Sequence, residues 1–107
     1  FFKTIPDRFL EYEWSLFKTL HLDTGSIPDK YRALAGVAVA TAIRCRYIAC
    51  FHIELARRSG ATDAEIEEAV HVAQSSIGWS AYLNGMQVDY ERFRKEIPGL
   101  VKHLQRA

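Results

Sequence analysis

Cysteine is scarce in this chain, with two in 107 residues, at positions 45 and 50. A small secreted scaffold held by disulfides carries more cysteines and spaces them better. Five residues apart on a regular helix, these two point about 140° away from each other, outside the geometry of an unstrained local disulfide. A reducing, cytoplasmic setting is therefore expected. Charge of one sign is also lacking. There are 14 basic and 13 acidic residues, a formal net charge of +1. That balance argues against the basic footprint of a nucleic-acid binder and equally against an anionic-membrane binder. The longest apolar run, Ala33 to Ile43, is too short to span a bilayer. The first residues lack the basic-then-apolar order of an export signal. The chain opens on Phe1 and not on Met, so residues trimmed or left out ahead of it are expected. Strand signals are missing as well: no stretch alternates apolar and polar residues between hairpin turns.

What remains is helical. The apolar share of 49% is enough for a modest core, and the length fits one domain over 1–107. Part of the apolar surface is expected to close against a second copy, making a homo-oligomer. The fold class predicted is all-α, a compact bundle of five to six helices. The first helix follows Pro6-Asp7 and runs to about Leu20, with Leu10, Trp14 and Phe17 at helical spacing. The second opens near Pro28 and passes through the small residues of 33–42, which suit a buried central helix. Helical patterning continues from there to Ser59. One helix of that length would exceed the usual globular range, so a break near Arg44-Cys45 is predicted. The third helix then turns Ile48, Phe51, His52 and Leu55 inward and is capped by Gly60. Thr62-Asp63-Ala64-Glu65 fits a capping box for a fourth helix that Gly78 ends or kinks. Trp79, Tyr82, Leu83, Met86, Tyr90 and Phe93 mark a fifth helix, which Pro98-Gly99 stops, with room for a short tail helix beyond.

Chemistry concentrates at Cys45 and His52. Seven residues apart on a helix, they lie within about 20° of one face. A helix beginning at about Cys45 favours the thiolate, and Arg44 and Arg46 add positive charge on either side. His52 sits on the apolar face, where histidine serves either as a core residue with one hydrogen bond or as an acid/base group. Glu68 and His71, three apart, share a helix face. His71, Gln74, Tyr47 and Tyr82 are further candidates to line a pocket, with Arg44 and Arg46. Cys45, Cys50, His52 and His71 follow no zinc spacing, so neither a metal nor another cofactor is expected.

The stretch from Pro28 to about Asp89 resembles the carboxymuconolactone decarboxylase family, which includes the alkylhydroperoxidase D type proteins. The residues that carry the resemblance are the small apolar helix Leu34 to Ile43, then Cys45, Tyr47 and His52. The Gly60-Ala61-Thr62 corner follows, then Glu65-Ile66 and Glu68-Ala69. The segment Trp79 to Gly85 is similar to a signature of one branch of that family. The peroxidase members use C-x-x-C with a histidine four residues later and a glutamate on the preceding helix. Cys45 and His52 match the first cysteine and the histidine. Ile48 stands at the second cysteine and Ala33 at the glutamate.

The resemblance implies an alkylhydroperoxidase D-like bundle, commonly assembled as a trimer or hexamer; a two-fold dimer stays open. It also implies a small-molecule substrate and two activities. One is a thiol-dependent, antioxidant peroxidase acting through Cys45 with His52, in which an oxidised Cys45 is resolved by an outside thiol. The other is a cofactor-free decarboxylase acting on a carboxylated, lactone-like substrate through His52. A third possibility is a non-catalytic oligomeric module that kept the fold while its site decayed.

Overall fold

The computed structural model describes residues 2–106. A single 3-10 turn, Phe2–Thr4, precedes five α-helices: α1 (Asp7–His21), α2 (Asp29–Ile43), α3 (Arg46–Arg58), α4 (Asp63–Gly85) and α5 (Tyr90–Leu104). No strand occurs among the described residues, so the all-α expectation holds. Among the described residues, no helix is long and apolar enough to cross a membrane. The chain divides into two units, one running to Ser75 and one from Ser76 onward, with α4 continuous through the division.

The first unit contains the core. α2 and α3 form its most extensive helix pair, and α1 packs on α2. The buried positions are small: Ala33, Val37 and Ala40 on α2, Ala56 on α3 and Ala61 at the corner that follows. Short side chains let the helix axes approach closely. Ile66 of α4 closes the cluster, and Leu34, Ile53, Leu55, Ala69 and Val70 pack around it. The expected central helix is therefore α2.

The predicted boundaries of this unit are met by backbone chemistry. α3 ends with Gly60 at φ 93° and with the Ala61 N–H donating to the Ala56 carbonyl at 2.9 Å. This is the Schellman closure that favours glycine. α4 opens with the capping box. The Thr62 hydroxyl accepts from the Glu65 N–H at 3.1 Å, and the Glu65 carboxylate accepts from the Thr62 N–H at 2.9 Å. Lys30 and Glu65 form an ion pair at 3.0 Å that ties α2 to α4. Arg32 fastens the end of α1 by donating to the Leu20 and Asp23 carbonyls and to the Asp29 carboxylate.

The second unit departs from the sequence reading. α4 runs through Gly78 to Gly85, and Trp79, Tyr82 and Leu83 belong to it and not to the fifth helix. One interior glycine costs only about 1 kcal/mol relative to alanine, too little to end a helix of 23 residues. α4 ends instead where Gln87 turns left-handed at φ 53° and the Val88 N–H reaches the Leu83 carbonyl at 3.1 Å. Asp89 restarts the chain, its carboxylate accepting from the Glu91 N–H at 3.2 Å. Pro98-Gly99 does not stop α5, which continues to Leu104, so the described residues form no separate tail helix. Pro98 removes one helical N–H and crowds the carbonyl four residues before it, yet the helix continues on both sides of it.

Candidate functional site

The site begins with a backbone reversal. Arg44 takes up the left-handed conformation, φ 56° and ψ 44°, which costs a residue with a Cβ roughly 1 kcal/mol. The cost is set against a double cap at Cys45. Its N–H donates to the Ala40 carbonyl at 3.1 Å and closes α2, while its carbonyl accepts from the Ala49 N–H at 3.0 Å and opens α3. Cys45 is thus the last linked residue of one helix and the N-cap of the next. The predicted break near Arg44-Cys45 is present, and it fixes the cysteine backbone from both sides. The side chain is half-buried and the thiol free; Cys50 is free and exposed. Ile48 is half-buried on α3, and Ala33 is 2% exposed on α2.

Among the described residues, His52 is the one polar side chain buried within the core, at 7% exposure. Its ring stands 5.0 Å from the Phe51 ring and 5.3 Å from the His21 ring, centroid to centroid. His21 comes from the last turn of α1 and itself contacts Phe17 at 4.8 Å. His52 Nδ1 is buried without a hydrogen-bond partner. Ala33, one turn before Gly36 on α2, has no group to offer it. Burial pushes the His52 ring below the usual histidine value, and the neighbouring His21 pushes it the same way. His21 is lowered by burial first and then by the Arg32 charge. Both rings are pushed below the ordinary histidine value, chiefly by burial, and remain neutral at neutral pH.

The remaining candidates separate. Arg46, Tyr47, Ile48, Cys50 and Phe51 line an open cavity of about 530 Å³ on α3. The Arg46 guanidinium lies over the Tyr47 ring at 5.3 Å and donates to the Tyr47 hydroxyl at 3.4 Å. Phe51 belongs to this wall and touches His52. Arg44 is exposed at the reversal. His71 and Gln74 are exposed on α4, and no hydrogen bond or ion pair joins Glu68 to His71. Tyr82 lies in the second unit, edge-on to Trp79 at 5.9 Å. Among the described residues, no three of His, Cys, Asp and Glu are grouped to hold a metal ion.

Three residues of the site escaped the sequence reading: His21, Arg32 and Gly36. His21 continues the stripe of Trp14 and Phe17 by one more turn, a signal that ended too early at Leu20. A Cβ built on Gly36 would overlap the His52 ring, meeting Nδ1 most closely and then Cε1 and Cγ. A glycine inside an otherwise helical run is the sequence signal for such an approach.

The sequence model described as "Carboxymuconolactone decarboxylase family" matches residues 4–90. A Paracoccus denitrificans protein described as "Uncharacterized protein 4 in cox locus" is 35% identical over 79 residues, which is 74% of this chain and 67% of that protein. No solved structure matches the chain.

Proposed function

The chain belongs to the carboxymuconolactone decarboxylase family, and from that premise we propose that it reduces small hydroperoxides through the single thiol of Cys45, with His52 as the proton-transfer group. The observation that carries this reading is the double cap at Cys45. It sets a free, half-buried sulfur at the mouth of α3, where the first N–H groups of the helix have no carbonyl partner. In the reaction the sulfur attacks one peroxide oxygen. The S–O bond forms, the O–O bond breaks, and the leaving oxygen takes a proton and departs as alcohol or water. With Ile48 at the position of a second cysteine, the sulfenic acid is resolved by an outside thiol, which forms a mixed disulfide and releases water. A second outside thiol then frees Cys45. His52 is neutral, the form that accepts a proton. Seven residues of rise separate it from Cys45 by about 10 Å along the axis, so the proton passes through substrate or water.

The test is hydroperoxide consumption in the presence of excess small thiol, read alongside trapping of a sulfenic acid with a 1,3-dione. The wild-type chain and Cys50→Ser are expected to consume peroxide and to be labelled once, and Cys45→Ser to do neither. A Cys45→Ser variant with full activity would remove the reading.

The cavity beside Phe51 favours a second reading, cofactor-free acid/base chemistry. Arg46 in its wall offers a charge for a carboxylate, and Phe51 joins that wall to His52. An activity indifferent to thiol alkylation but lost in His52→Ala selects this second reading. Either way the chain is proposed to assemble with copies of itself. Support comes from the second unit, where Trp79, Tyr82, Met86 and Tyr90 are all more than half exposed.

A further inference from the structure

We propose that Gly36 is the positioning residue of His52: its bare Cα is the seat on which the face of the imidazole rests, and it holds the ring with Nδ1 buried and in its neutral form. The missing Cβ would meet Nδ1, Cε1 and Cγ at nearly equal distances, all well inside 3.0 Å. Near-equal distances to three consecutive ring atoms place that point over the ring face and not off its edge. The ring is therefore laid against α2, with His21 of α1 in contact as well. In this pose Nδ1 is buried and has no acceptor. A proton placed there would have nothing to donate to, so the imidazolium, which carries a proton on each nitrogen, is disfavoured and the ring is held neutral. Any side chain at position 36 must displace the ring, because the overlap falls on the ring itself and not on a flexible tip.

The seat is a statement about His52 and stands apart from the reaction; only its consequence for catalysis rests on the reading of Cys45 above. Helix propensity alone makes Gly36→Ala stabilising, and the seat makes it destabilising, so the two accounts differ in sign. The experiment is a double-mutant cycle of Gly36→Ala and His52→Ala by thermal unfolding, with the His52 ring followed by NMR across pH. Gly36→Ala is expected to lower the unfolding midpoint when His52 is present and to raise it in the His52→Ala background. In the single Gly36→Ala variant the His52 titration is expected to move toward the ordinary histidine value. If that variant does not fold, the double variant, which lacks the ring, is expected to fold. A Gly36→Ala chain with a raised midpoint and an unmoved His52 titration overturns the seat, as does a double variant no more stable than His52→Ala alone. A displaced titration with an unchanged rate of Cys45 oxidation keeps the seat and overturns the catalytic role of His52.

Discussion

α3 and α5 are written in the same sequence style and have opposite fates. Each is a short helix with a one-sided apolar stripe and charged residues opposite. α3 buries His52 and Ala56, whereas α5 buries none of its residues, leaving Leu100, Val101 and Leu104 open. The difference lies in the partner and not in the stripe. α3 faces α2, whose Ala33, Gly36, Val37 and Ala40 are small enough to admit it closely. Amphipathicity reports that a helix has a face to cover; only the opposing side chains decide whether its own unit covers it.

The sharpest way to break this contrast is to place a carboxylate on each side of it. Val37 is 1% exposed, so Val37→Asp buries a charge without a partner and is expected to cost at least about 4 kcal/mol, enough to unfold the first unit. Leu100 on α5 is 48% exposed, and Leu100→Asp is expected to stay within about 0.5 kcal/mol in dilute chain. Its effect should appear in self-assembly, as a shift to smaller species in sedimentation velocity. Denaturation curves that show both substitutions equally costly would mean that the α5 face is covered within the monomer.

The same contrast marks what could be read in advance. In the first unit every predicted boundary carried a local chemical signal. Gly60 supplied a left-handed closure, Thr62 and Glu65 a capping box, and the helical pattern running from Pro28 to Ser59 demanded a break that Arg44 and Cys45 provide. In the second unit the strongest-looking signals, Gly78 and Pro98-Gly99, were breakers by propensity alone, and both lie inside helices. The weaker-looking Gln87 and Asp89 set the true ends, because they complete hydrogen bonds. At the site, Cys45 and His52 were legible from type and spacing. Gly36 and His21 were not, since what they contribute is contact with a ring on another helix, and a single sequence does not say which helices touch.

The two caps offer a finer comparison. Thr62 and Asp89 both satisfy N–H groups at a helix start, at 3.1 Å and 3.2 Å. Thr62→Ala is expected to cost about 1 kcal/mol, because the first turn of α4 holds Ile66 in the core cluster. Asp89→Ala removes an equivalent bond from a helix whose fraying exposes no buried side chain, and it should cost less. Urea unfolding of the two variants measures the difference; equal losses would show that α5 is tied into the cooperative unit despite its open face.

The smallest expected effect is also the most specific to the buried face of α3. His21 and His52 both lie below the ordinary histidine value of 6.5. Between that value and the lowered ones, the unfolded chain binds more protons than the folded one, so stability rises with pH over that interval. The contribution is complete above about pH 6.5 and drains away as the pH falls below it, until the folded rings take up protons themselves. Arg32 on α2 faces His21, and its charge adds to the penalty for protonating that ring. His21→Phe keeps an aromatic ring against Phe17 and Phe51, which now lie 4.8 Å and 6.0 Å from the His21 ring. It removes one titrating group and takes from His52 the neighbour that opposes its charge. The variant is therefore expected to match the wild type in mildly alkaline buffer and to lose less stability on acidification below about pH 6.5. An acid limb as steep as that of the wild type would mean that the buried rings do not set it, and that the buried face of α3 is an apolar contact with a histidine incidental to it.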